Sequence, residues 1–140
     1  MNNPHKVIGD ADAIVAQANP QDSNHNKAVK IAQELINSQV NVIYPVTAVV
    51  EAVTYIQRVL SSGATAYDTT QLMSEPTTQI VEVNKQTLVN ALKYFSAKTS
   101  KKNTLFDCIV AAVAEEHKAD AIFSFDSFYK KKGFKLASEL

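Results

Sequence analysis

Short apolar runs alternating with segments of helical spacing constrain this chain more than any other feature. The runs fall at residues 6–9, 41–44, 79–83, 121–125 and 134–137. Between them, apolar residues recur every three or four positions, as on one face of a helix. Residues 27–37 carry them at 28, 29, 31, 32, 35 and 36, and residues 85–97 carry Leu88, Leu92 and Phe95. Strands that alternate with helices imply βαβ units and a mostly parallel sheet covered by helices. With 140 residues, the chain fits one such domain over residues 1–140.

Local signals set the expected boundaries. A helix starts over residues 12–18 and is broken by Asn19-Pro20, and residues 21–26 form a polar loop. Pro45 closes the second strand, Thr47 caps a helix that runs to Leu60, and Ser61-Ser62-Gly63 stops it. Residues 64–77 are ambiguous, with Gly and Pro nearby but Ala66, Tyr67, Leu72 and Met73 suited to a short helix. Asn84 caps the helix over 85–97. A further helix covers 105–118, a polar turn or short helix 127–132, and residues 134–137 form the fifth strand.

Composition excludes several classes. A single cysteine, Cys108, rules out an internal disulfide framework and suits core packing better than nucleophilic chemistry. No run approaches the 18 or so apolar residues of a membrane span, and the polar start Met1-Asn2-Asn3-Pro4-His5 does not read as a signal segment. The expectation is a soluble, cytoplasmic protein. Fourteen basic residues balance fourteen acidic ones, which neither requires nor excludes nucleic acid. Lys98, Lys101 and Lys102, and Lys130, Lys131, Lys132 and Lys135, are candidate nucleic-acid patches whose plainer reading is solvated surface; Tyr129 beside them is an RNA contact or, more plainly, packed or solvated. His5, His25 and His117 have no metal-ligand spacing, and three glycines do not make a phosphate loop.

Four acids stand out by position. Asp10 ends the first apolar run, Glu51 lies in the helical segment after Pro45, Asp107 opens the helix at 105, and Asp126 follows the run at 121–125. In parallel sheets, sites form outside the carboxyl ends of strands, where Asp10 and Asp126 fall. Each acid also has a plain structural explanation: Asp10 and Asp126 as caps or turn formers, Asp107 as a first-turn acid favoured by the helix dipole. Glu51 fits a surface role poorly, since Ala48, Val49, Val50, Ala52 and Val53 surround it. Converging carboxylates repel unless protons or cations compensate, and Mg²⁺ or Mn²⁺ suits oxygen ligands.

Four segments together resemble the PIN-domain nucleases, in particular the small toxins of VapBC-type toxin–antitoxin pairs. They are Val7-Ile8-Gly9-Asp10-Ala11-Asp12-Ala13-Ile14-Val15, then Pro45-Val46-Thr47-Ala48-Val49-Val50-Glu51, then Leu105-Phe106-Asp107-Cys108-Ile109-Val110-Ala111-Ala112-Val113-Ala114, and last Ala119-Asp120-Ala121-Ile122-Phe123-Ser124-Phe125-Asp126-Ser127-Phe128. The resemblance implies a three-layer α/β/α domain on a five-stranded, mostly parallel sheet. It also implies an acidic pocket of Asp10, Glu51, Asp107 and Asp126 that binds one or two Mg²⁺ or Mn²⁺ ions and hydrolyses RNA. Ser124 holds the hydroxyl position the pattern expects before the last acid. Asp12 departs from the Ser, Thr or Asn usual two places after the first acid: it either joins the ligands or caps the next helix and supports the pocket from behind. A cognate antitoxin that inserts a basic side chain among the acids is the implied partner, and a homodimer suits the family. The alternatives are a PIN-like module that binds RNA or protein without cleaving it, and a metal-dependent phosphatase or 5′-nuclease with the same kind of pocket.

Overall fold

The computed structural model describes residues 5–140. Four parallel strands form one sheet: β1 (Lys6–Gly9), β2 (Asn41–Pro45), β3 (Gln79–Val81) and β4 (Ala121–Phe123). Their order is β3-β2-β1-β4, with Val7 opposite Val42 on one side and Ala121 on the other. β1 is central because its side chains are apolar on both faces, Val7 and Ile8 being wholly buried. Ile8 and Ile122 face one side, packed with α6 (Leu105–Glu116). Val7, Ala121 and Phe123 face the other, with α1 (Ala11–Ala18) and α2 (His25–Asn37). A third cluster joins α1 to α3 (Val46–Arg58) and α4 (Gly63–Met73), so the ambiguous stretch after Ser62 is helical. The remaining helices are α5 (Lys85–Ala91) and α7 (Phe128–Lys131).

α6 carries seven successive buried residues, Cys108 to Ala114. A helix apolar on all sides is a buried one, and this one lies under the sheet with its first turn at the carboxyl edge. Cys108 is part of that core.

Among the described residues the sheet has four strands rather than five. The segment expected to form the last strand makes one parallel bridge, Leu136 with Ile122, and one ladder bond, from Ile122 N to Lys135 O at 2.9 Å. Pairing stops there because the chain turns at once into a 3-10 turn, Ala137–Glu139, fixed by Glu139 accepting from Leu136 N. The helix expected over 85–97 ends at Ala91 and continues as tight i→i+3 turns through Tyr94. That tightening brings the Tyr94 hydroxyl to Glu115 of α6 at 2.5 Å. Thr87 and Ala91 are buried, whereas Leu88, Leu92 and Phe95, the expected core face, are exposed. Thr47 does not cap α3: the helix begins at Val46, Pro45 takes the cap position, and Thr47 Oγ1 is buried without a hydrogen-bond partner. Ser61 rather than Gly63 provides the left-handed turn after α3, at φ 53°.

Gly9 is required by a close approach. A Cβ there would overlap the ring of Tyr44 on the neighbouring strand β2. Gly9→Ala is expected to lower stability by about 1–3 kcal/mol, the usual range for overpacking. The urea midpoint should fall at unchanged slope; an unshifted midpoint would show that the Tyr44 ring moves aside freely.

Candidate active site

The carboxyl ends of β1 and β4 deliver three acids to one place. Asp10 follows Gly9, and its backbone N–H still bonds Phe123 O across to β4 at 3.0 Å. The chain then turns into α1, with Asp10 as its N-cap: Oδ1 accepts from Ala11 N at 2.7 Å. Oδ2 accepts from the Tyr129 hydroxyl at 2.7 Å. Asp10 is only 3% exposed. Burial pushes its pKa well above the ordinary carboxylate value, Asp12 and Asp107 push it further, and the Tyr129 bond opposes them.

Asp12 sits in the first turn of α1 but reaches across to the loop after β4. Its Oδ2 accepts from Ser124 Oγ at 2.9 Å and from Phe125 N at 2.8 Å. Its Oδ1 is buried with no hydrogen-bond partner. Asp10 therefore caps α1, and Asp12 ties α1 to β4. Ser124, itself buried, passes the connection on: its Oγ accepts from Asp126 N at 3.1 Å. Asp126 is fixed at both oxygens, Oδ1 by Phe128 N and Oδ2 by Asn103 Nδ2, each at 2.9 Å.

Asp107 comes from the first turn of α6. Its Oδ2 accepts from Thr104 N at 3.0 Å, closing a capping box. Its Oδ1 lies 3.4 Å from the Tyr129 hydroxyl. Burial raises its pKa, with Asp126 adding to the rise. Glu51 is half-buried on α3, and its side chain makes no hydrogen bond among the described residues. Its pKa is pushed up to about 7 by burial, then by Asp107 and Asp12.

All five acids line one cleft of about 310 Å³, joined by Asp22, Tyr55 and Lys102. No ion pair among the described residues involves any of these carboxylates. The sequence pattern had singled out Asp10, Glu51, Asp107, Asp126, Asp12 and Ser124, and the fold brings all six together. It gave no sign of Asp22 or Asn103, which lie in polar loops. Tyr129 is wholly buried, which fits the packed one of its expected roles, but nothing in the run Phe128-Tyr129-Lys130 reveals that its hydroxyl meets the acids.

The donor set suits a hard divalent cation: carboxylate oxygens only, one of them buried without a partner at Asp12. Among the described residues, no three His, Cys, Asp or Glu side chains are already arranged to hold an ion. The fit is thus one of chemistry and location, with side-chain movement needed to draw the oxygens together.

Comparisons with known proteins agree with this architecture. VapC20 of Mycobacterium tuberculosis, described as a sarcin-ricin loop cleaving toxin, superposes with a TM-score of 0.77 at 16% identity, over 91% of this chain and 95% of its own. FitAcB of Neisseria gonorrhoeae gives a TM-score of 0.68, also at 16% identity, over 96% of this chain and 99% of that one. At such identities the likeness is one of fold. No curated protein sequence matches the chain. The PIN-domain family model matches residues 8–135, nearly the whole length, and on that ground the chain belongs to the PIN-domain family.

Proposed function

We propose that this PIN domain is an endoribonuclease that hydrolyses RNA phosphodiester bonds with Mg²⁺ or Mn²⁺, and that it is the toxin of a toxin–antitoxin pair. The observation that carries the reading is the surplus of negative charge in the cleft, six carboxylates facing one lysine. Such a surplus opposes folding, and a divalent cation would offset it. Asp10, Glu51 and Asp107 would be the principal ligands, with Asp126 serving a second ion or positioning the others. When bound, the cation would lower the pKa of a water molecule and neutralise charge on the phosphodiester.

The chain's own side chains complete the site. Asp12 and Ser124 hold the Asp126 loop from behind through the hydrogen bonds given above. Lys102 on the cleft wall offers its charge to the RNA backbone. Tyr55, 43% exposed in the same cleft, offers a ring face to an unstacked base. The likeness to a sarcin-ricin loop cleaving toxin supports this reading of the substrate. A small antitoxin carrying a basic side chain suits the same cleft, because it would supply the missing positive charge. We place this activity in the cytoplasm; no helix among the described residues is long and apolar enough to cross a membrane. A homodimer is compatible with the reading.

One observation favours a second reading, a PIN fold that binds RNA or protein without cleaving it: the carboxylates are not yet converged on a common point. Chelation decides between the two. RNA cleavage should vanish in EDTA and return with Mn²⁺ or Mg²⁺; cleavage that persists in EDTA overturns the metal reading, and none under any condition favours the binding module. Co-expression with a neighbouring small gene should relieve the growth arrest expected from this chain alone.

Asp107→Asn keeps the side-chain shape and removes one ligand charge. Activity should fall by more than the roughly 100-fold that loss of a supporting residue can cost, while the metal-free melting temperature stays level or rises. Near wild-type cleavage would remove Asp107 from the site.

The raised pKa of Glu51 has a defined sign. Its carboxyl stays protonated in the folded chain up to about pH 7, whereas in the unfolded chain it ionises near the ordinary value of about 4.3. Stability from this group is therefore full below that value and is lost as pH rises to about 7. The metal-free melting temperature should fall across that window, and Glu51→Gln should reduce the fall. Equal pH profiles for the two proteins would show that Glu51 titrates normally.

A further inference from the structure

We propose that Tyr129 is a positioning residue of this site, its hydroxyl setting the plane of the Asp10 carboxylate that receives the metal ion. The inference rests on the nuclease reading above, but its geometry stands on its own. The Tyr129 side chain is wholly buried and packed edge-on against Phe128, ring centroids 5.3 Å apart at 72°. The ring has no room to turn away. Its hydroxyl reaches Asp10 Oδ2 at 2.7 Å and lies 3.4 Å from Asp107 Oδ1. A phenol has one proton to donate, so the nearer Asp10 takes it.

That bond acts together with the one from Ala11 N to Asp10 Oδ1, also 2.7 Å. A carboxylate held by one donor on each oxygen cannot rotate about its Cβ–Cγ bond without breaking both. In a buried site each broken bond leaves an unsatisfied group, which is costly. Each oxygen keeps a further lone pair open, and the two donors decide where those lone pairs point. Tyr129 thus orients the ligand without filling its coordinating positions.

The donor is also neutral. A lysine or arginine in this place would pair with Asp10 and lower the charge left for a cation to offset. The phenol supplies a hydrogen bond and leaves the charge deficit intact. The backbone links this role to the last acid: Phe128 N, one residue before Tyr129, binds Asp126 Oδ1. The segment that orients Asp10 therefore also holds Asp126.

Tyr129→Phe keeps the ring and deletes only the hydroxyl. Mn²⁺ titration into the metal-free protein, followed by calorimetry or by the electron-spin signal of free Mn²⁺, should show binding weakened by about 10- to 100-fold. The kcat for RNA should fall with KM nearly unchanged. A folded variant with wild-type Mn²⁺ affinity overturns the proposal and leaves Tyr129 a core residue only. A wild-type protein that binds no Mn²⁺ overturns the nuclease reading and this inference with it. Should Tyr129→Phe fail to fold, the wild-type chain decides: the ¹³Cζ resonance of Tyr129, the most buried of five tyrosines, should move when Mg²⁺ saturates the site. A resonance that stays in place overturns the proposal.

Discussion

Repulsion among like charges at the carboxyl edge of a parallel sheet governs how this site is built. Asp10, Asp12, Glu51, Asp107 and Asp126 share one cleft, and four of them have pKa values raised chiefly by burial. The fold holds four of them, Asp10, Asp12, Asp107 and Asp126, with neutral donors. Ala11, Phe125, Thr104 and Phe128 contribute backbone N–H groups, Ser124 and Tyr129 hydroxyls, and Asn103 its side-chain amide. Neutral donors fix geometry without cancelling charge, so the acids are oriented but not compensated. The remaining deficit is what a diffusible cation, or a basic group from a partner, would fill.

The parallel sheet is what allows so many acids to meet. Because all strands run the same way, their carboxyl ends lie along one edge. β1 lies between β2 and β4 and ends directly in Asp10, and β4 ends just before Ser124 and Asp126. α6, anchored by seven consecutive buried residues, puts the first-turn Asp107 at the same edge. α3 starts immediately after β2 and brings Glu51 in from the side. Asp10, Asp12, Glu51 and Asp107 thus sit on or at the start of regular elements, whereas Asp126, Asp22 and Lys102 come from loops.

The sequence made the alternating architecture and the four principal acids legible because both are local signals. Apolar periodicity fixes strands and helices, and an acid just after an apolar run marks a strand end. What stayed hidden depends on tertiary contact. The spacing of Leu88, Leu92 and Phe95 fits one helical face, yet α5 packs through the small Thr87 and Ala91, because close contact with α6 favours small side chains. Residues 134–137 have the composition of a strand, but the 3-10 turn that follows removes the length needed to pair. Thr47 is a good cap in isolation, but Pro45 ends β2 in an extended conformation at ψ 137° and the helix starts directly after it, at Val46. Tyr129 lies in a lysine-rich run that looks solvated. Its burial follows from where α7 lands, 119 residues from its partner Asp10.

Asp12 shows how charge and structure are coupled at this site. With a neutral hydroxyl at this position, the link to Ser124 could form without adding charge to the pocket. A carboxylate makes the link with one oxygen and leaves the other buried and unpaired. Its negative field is among the causes that raise both Asp10 and Glu51. Whether or not Asp12 touches a metal, it increases the attraction that the cleft exerts on a cation and the repulsion the metal-free fold must withstand. Binding that favours the folded state stabilises it by mass action. The same residue that adds repulsion to the cleft would therefore increase what a cation or a basic partner gains by entering it.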